Sequence, residues 1–315
     1  MFPTLYQISE GLGIHMYGLM IMTALLAAFV VSSRRARMVG IDSDKLTTMY
    51  LLVALAGVAV SRLFHFLFTD QSAEFFENPL IYFYPSEGGL VFYGGPIGGV
   101  LVGVLYCMYF KIPTFKMLDI AAPAIMLGLA FGRVGCFLAG CCHGMHCEMP
   151  INHTVLALQG GEIVAVDGFP HYALLFYREG AGVTASAARD LPLFPTQVWE
   201  MTVAFTIFGL LSWIWKRLKF FDGQILILMM ILYAGWRSTV ENFRGDMTRG
   251  LDTAGSGLTT SQWISVAMVI LAVLIGVFRI IYVKYKGFDL VAEEIPFVPE
   301  DIDEELIYWR QSVGI

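Results

Sequence analysis

A permanent positive charge, Arg133, stands at the end of a long apolar run. The chain around it, Gly132-Arg133-Val134-Gly135-Cys136-Phe137-Leu138-Ala139-Gly140-Cys141-Cys142-His143-Gly144, then breaks up into glycines and thiols. An arginine at the centre of a membrane helix costs about 2.5–3.5 kcal/mol on insertion scales, so it is usually kept for binding, as a counter-charge or along a pathway. The plainer alternative is an arginine that snorkels to a headgroup from a helix end. A second group, Arg237, Glu241 and Arg244, is spaced i, i+4, i+7, so it shares one helix face on which the glutamate can neutralise its neighbours. Arg62, Arg133 and Arg237 together are expected to carry more positive charge than nearby carboxylates cancel. The partner that suits them is an anion, and phosphate matches guanidinium geometry best. Cys136, Cys141, Cys142, His143, His146 and Cys147 are ligand types suited to zinc, although their spacing matches no zinc motif. Buried cysteines also serve as small apolar packing residues, and Cys107 stands alone in an apolar run.

The elements that must position these groups are membrane helices. With 57% hydrophobic and 15% charged residues, the 315-residue chain is too apolar for a soluble domain of ordinary composition. Apolar runs of about 20 residues, the length that crosses a hydrocarbon core of roughly 30 Å, recur at 12–32, 46–68, 88–110, 117–139, 197–215, 222–243 and 261–283. The spacing predicts an all-α polytopic membrane protein of seven transmembrane helices. The first run has no basic residue before it and Arg34, Arg35 and Arg37 after it, so it reads as a retained helix rather than a cleaved signal peptide. Basic residues follow the first, third, fifth and seventh runs, and the loop from Thr69 to Glu87 has none. By the positive-inside rule the N-terminus is outside and the C-terminus cytoplasmic. The formal net charge of −6 includes the acidic residues of a cytoplasmic tail, 287–315, which reads as a solvated end.

This topology sets the depth of each polar residue. His15 and Tyr17, Arg62 and His65, Tyr93, Arg133 and Cys136, Gln197 and Glu200, Arg237, Glu241 and Arg244, and Ser261 and Gln262 all fall at the outer-leaflet end of their helices. Charge within the membrane is expected on that side only, as one site open to the outside. A transporter would need access from both faces, and no pair of matched, interrupted halves is present. The third run opens with Gly88-Gly89, Gly94-Gly95 and Gly98-Gly99. Small residues there allow either close helix contact or the approach of a headgroup to the backbone. Between the fourth and fifth runs, 141–195 carries strand-like stretches at Thr154–Leu158, Glu162–Val166 and Tyr172–Tyr177. They predict a small folded cap within a membrane domain of residues 1–286.

The chain resembles the bacterial prolipoprotein diacylglyceryl transferases. The likeness is carried by Tyr17-Gly18-Leu19-Met20, by Asn78-Pro79-Leu80 followed by Gly88-Gly89-Leu90 and Gly94-Gly95, and by Gly132-Arg133-Val134-Gly135 with Phe137, Gly140 and Gly144. It continues through Pro195-Thr196-Gln197-Val198-Trp199-Glu200 and Arg237 to Arg244, with every motif in family order. The resemblance implies a seven-helix inner-membrane enzyme with a periplasmic site. Such an enzyme moves the diacylglyceryl group of phosphatidylglycerol to a cysteine thiol in the signal peptide of a prolipoprotein, with no cofactor. It implies catalytic roles for Tyr93, Arg133, Arg237 and Glu241. It implies substrate binding by His15, Tyr17, Arg62, Gly94, Gly95, Cys136, Gly144, Gln197, Glu200 and Arg244. Three positions depart from the family pattern: Tyr93 stands for its histidine, Cys136 for its asparagine and Cys141 for its glutamate. A metal or thiol-redox role for the cysteine cluster, or lipid binding without transfer, is the alternative that these departures keep open.

Overall fold

Helices dominate the described residues wherever apolar sequence runs on. The computed structural model describes residues 4–9, 12–68, 72–83, 89, 91, 93–145, 154–159, 162–167, 193–244 and 257–286. In chain order these form a hairpin of β1 (Thr4–Ser9) and β2 (Leu12–His15), then α1 (Met16–Met38), α2 (Ser43–Phe68) and the short α3 (Ser72–Glu77). A 3-10 turn at Pro79–Phe83 leads to α4 (Gly94–Tyr109), α5 (Thr114–Ala139) and a second hairpin of β3 (Thr154–Gln159) and β4 (Glu162–Asp167). The chain continues with α6 (Thr196–Arg217), α7 (Gln224–Glu241) and α8 (Thr260–Lys286). Each of the seven expected apolar runs contains a helix. By length and composition α1, α2, α5, α6 and α8 can cross a membrane, and α4 is a shorter apolar helix. The polar residues near the end of α7, Arg237 and Glu241 among them, lower its mean hydropathy.

Two boundaries differ from expectation. The first run was expected to be helical from residue 12, but Leu12–His15 pairs antiparallel with Thr4–Ser9, and the helix begins at Met16. A short apolar stretch is compatible with strand and helix alike, and here a partner strand lies just upstream in sequence. The third run was expected to be helical from residue 88, but α4 begins at Gly94. At about 1.5 Å per residue its 16 residues span roughly 24 Å, short of a full hydrocarbon core. In the cap, β3 and β4 lie on two of the expected strand-like stretches and pair in register from Thr154↔Asp167 to Gln159↔Glu162. The third stretch, Tyr172–Tyr177, lies outside the described residues, as do His146, Cys147 and the acidic tail.

The chain folds as two units. One holds α1 as far as Ser32 and the described residues from Pro113 onward; the other holds the described residues of Ser33–Ile112. In the first, α5 packs on α6 and α7, and α7 on α8. Ala122, Met126, Ile207, Leu211, Ile225, Met229, Met230 and Ala272 are buried together between them. Lipid tails are as apolar as these side chains, so close van der Waals packing, rather than escape from water, holds such helices together. In the second unit α2 lies against α4. A β-carbon on Gly94 would sit 2.5 Å from Cα of Ser61, and one on Gly98 would sit 2.7 Å from the carbonyl oxygen of Ala56. Glycine at these two positions is what lets the helix backbones meet.

The expectation that intramembrane charge lies on one side only does not hold. Asp119, within α5 and fully buried, accepts backbone N–H bonds from Gly223 (2.8 Å) and Leu226 (3.0 Å), and Lys219 lies 3.1 Å from the same carboxylate. It therefore caps the start of α7 from a neighbouring helix, at the opposite end of α5 from Arg133. A carboxylate beside the unpaired N–H groups of a helix start is well placed electrostatically. The role is structural, and an apolar-run scan passes over a single acid near the end of a span.

Candidate active site

The site in the first unit is built where α5 and α7 end and α6 and α8 begin. Arg133 and Cys136 come from the last turns of α5, and Gln197 and Glu200 from the first turns of α6. Arg237 and Glu241 come from the end of α7, and Ser261 from the start of α8. Glu200 is the hub. Its Oε2 lies 2.5 Å from Nε of Arg133 and its Oε1 3.2 Å from Nη1 of Arg237, with its side chain 3% exposed. Arg237 extends its other arm, Nη2, to Glu241 Oε2 at 2.7 Å and donates to Ser261 Oγ at 3.0 Å. Two of the three arginines expected to hold surplus charge, Arg133 and Arg237, are thus paired, and Arg237 is engaged on both terminal nitrogens. Among the described residues Arg133 uses Nε on Glu200 and reaches Cys136 Sγ at 4.0 Å from Nη1, so part of its five-donor fork remains for another acceptor.

Glu241 is tied at both oxygens, because Oε1 accepts a bond from Thr259 Oγ1 at 3.3 Å. Thr259 also opens α8 with a capping box: Gln262 N–H donates to Thr259 Oγ1 (3.3 Å) and Thr259 N–H to Gln262 Oε1 (3.0 Å). Sequence reasoning missed Thr259, although a Thr-x-x-Gln ahead of an apolar run is a helix-start signal.

Beyond Arg133 the chain turns sharply. Gly140 adopts a left-handed conformation at φ 72°, its N–H donates to Phe137 O, and the N–H of Cys141 donates to Cys136 O, so α5 ends in a Schellman motif. Cys142 is left-handed too, at φ 59°, a conformation that costs a non-glycine residue roughly 1–2 kcal/mol. The first turn of α6 holds this loop: Thr196 Oγ1 donates to Cys142 O at 3.0 Å, and Gln197 Nε2 to Cys141 O at 2.8 Å. The outcome is that the sulfurs of Cys136, Cys141 and Cys142 all lie within 4.8 Å of one another, as free thiols. Of the two past the helix end, Cys142 is the more readily ionised. Hydrogen bonds from Cys136 and Cys141 favour its thiolate, burial opposes it, and the charges of Arg133 and Arg244 add to the favourable side. Cys141 is pushed the other way, first by its hydrogen bonds to Cys136 and Cys142.

The remaining expected residues divide by role. Tyr17 is 43% exposed in the first turn of α1, and its ring lies where Gly135 leaves room, since a β-carbon there would be 3.2 Å from it. His15 is exposed at the end of β2. His143, half-buried, has Nδ1 2.9 Å from Gly144 O. Gly144 pairs with Arg244 in a backbone bridge, and its N–H donates to Phe194 O. A β-carbon on Gly144 would meet Phe194 and Phe243 at 2.6–2.7 Å, so this glycine lets three segments close over the helix ends.

In the second unit, Arg62 donates from Nε to Tyr82 O (2.5 Å) and lies 5.3 Å from the ring centre of Phe66 and 5.9 Å from that of Tyr82. Two aromatic faces lie beside that guanidinium. Tyr93, 38% exposed, immediately precedes α4. Gly94, expected to bind substrate, is buried in the α2–α4 contact, and a β-carbon on Gly95 would touch Ser61 Oγ at 3.3 Å. Their evident work is helix packing.

Residues 3–278 match the family described as prolipoprotein diacylglyceryl transferase. A protein of Clostridium tetani is 30% identical over 273 residues, covering 87% of this chain and 96% of its own. One of Bordetella bronchiseptica is 27% identical over 266 residues, covering 82% and 88%. Both carry the name "Phosphatidylglycerol--prolipoprotein diacylglyceryl transferase".

Proposed function

Since this chain belongs to the prolipoprotein diacylglyceryl transferase family, we propose that it moves the diacylglyceryl group of phosphatidylglycerol to the signal-peptide cysteine of prolipoproteins. The observation that carries the chemistry is the Arg133–Glu200–Arg237 relay, which presents a partly uncommitted guanidinium fork beside a cluster of thiols. In the reaction a cysteine thiolate attacks the glyceryl carbon. The carbon–oxygen bond to phosphate breaks, and glycerol phosphate leaves with the electron pair. Negative charge builds on the phosphate, and Arg133, held rigidly by Glu200, is placed to stabilise it. Arg237 acts through Glu200, with Ser261 and Glu241 holding it in turn. By the resemblance alone, Tyr93 takes the position of the family's histidine and is the candidate to accept the thiol proton or to bond the phosphate. Both oxygens of Glu241 are committed, which makes it the lesser base.

The same reading takes the chain as an inner-membrane protein of seven spans, with its N-terminus and its site on the periplasmic side. Support for this comes from the basic residues that follow alternate apolar runs and from the alternating helix directions that bring the site residues to one end. The test is transfer by the purified chain from labelled phosphatidylglycerol to a signal-peptide substrate, with phosphatidylethanolamine as the control donor. Thioether product from the anionic lipid is expected, with little or none from the control. Arg133→Lys keeps the charge and loses the fork, so it is expected to lose most of the rate while remaining folded. A full rate in that variant would remove the phosphate role.

A further inference from the structure

The three thiols are more ordered than packing requires. Cys136 lies in the last turn of α5, and the Schellman turn and the left-handed Cys142 bring the next two cysteines back to it. Two side chains of α6, Thr196 and Gln197, fix the backbone carbonyls of Cys142 and Cys141. Sulfurs bound tetrahedrally at about 2.3 Å to one metal stand roughly 3.8 Å apart, so thiols already within 4.8 Å of one another need only a small contraction. A disulfide, at about 2.05 Å between sulfurs, would need a larger one and would use only two of the three.

We propose that Cys136, Cys141 and Cys142 hold a zinc ion, and that this ion takes the sulfur of the substrate cysteine as its fourth ligand. The use of the metal rests on the transferase reading above. Thiolates select soft cations, and three protein ligands with one open position are the arrangement of a catalytic zinc rather than a structural one. A zinc ion with three thiolates carries one net negative charge. Arg133, 4.0 Å from Cys136, is placed to balance it. Cys136 is buried, whereas Cys141 and Cys142 are half-buried, which leaves an approach from the loop side. There an incoming thiol binds zinc and loses its proton to solvent. Its electron pair forms the sulfur–carbon bond, and the carbon–oxygen bond to phosphate breaks. Glycerol phosphate takes that pair, and the neutral thioether, a weaker ligand, leaves the metal. Ionisation of the thiol then falls to the zinc rather than to a side-chain base.

The test uses the full chain, purified in detergent with zinc present. About one zinc per chain is expected by elemental analysis, and cobalt exchanged into the wild type should give a sulfur-to-metal charge-transfer band. Cys136, Cys141 and Cys142 should resist alkylation until the metal is stripped. Cys136→Ser, Cys141→Ser and Cys142→Ser should each lose the metal, and Cys107→Ser should keep it. Stripping should slow transfer by about tenfold or more, with recovery on adding zinc. No zinc, no cobalt band and three reactive thiols would overturn the site, as would two thiols unreactive until reduced with no metal bound. Wild-type transfer by the stripped protein would overturn the catalytic use while leaving the transferase reading intact. Zinc bound at the three cysteines with no transfer under any condition would support the site and overturn that reading.

Discussion

Glu200 carries its two oxygens to two different arginines, so its replacement by glutamine would leave the Arg133 guanidinium without its counter-ion and Arg237 with Glu241 alone. Breaking a buried pair in this way costs about 3–5 kcal/mol. Glu200→Gln is therefore expected to lower unfolding resistance in detergent by that order and to abolish most transfer; an unchanged unfolding curve would show that the relay is not a structural unit. Tyr93→Phe tests a different residue, because it removes the hydroxyl and keeps the ring. A large fall in the transfer rate is expected, and a wild-type rate would remove the Tyr93 hydroxyl from the reaction. Arg133, Arg237 and Glu241 were legible in the sequence because a permanent charge in apolar sequence has few cheap explanations. The central place of Glu200 was not, since its partners come from two other helices and no spacing rule connects them. Arg62 shows the reverse limit: its charge was legible, but the aromatic faces that lie beside it were not.

At the level of elements, Asp119 does for α7 what a local capping residue does for an ordinary helix, but from α5. Asp119→Asn keeps one acceptor oxygen, removes the charge facing Lys219, and leaves the far end of the helices untouched. The variant is expected to be less stable by about 1–2 kcal/mol, in line with losing a cap, while transfer per folded molecule stays near wild type. A selective loss of rate at full stability would contradict the structural role. The sequence pattern located the seven long helices, because a sustained apolar run leaves little freedom, but not the short α3, and it located the β3–β4 hairpin through its strand-like runs. It misread the start of α1, where Leu12–His15 forms a strand, since composition cannot tell a short strand from a helix end. The Schellman turn after Ala139 was implicit in Gly140, but the gathering of three thiols depends on the left-handed Cys142 and on bonds from α6, which no local pattern announces.

Across the whole molecule, the chain matches the prolipoprotein diacylglyceryl transferase family over residues 3–278. The proposed transfer depends on the Arg133–Glu200–Arg237 relay. The most direct measurement is complementation. The chain is expressed in bacteria depleted of their own diacylglyceryl transferase, with growth and the lipid modification of prolipoproteins followed together. The account expects the wild-type chain to restore both and Arg133→Lys, present in the membrane at equal amount, to restore neither. A well-expressed wild-type chain that leaves prolipoproteins unmodified, or an Arg133→Lys chain that restores growth fully, would contradict it.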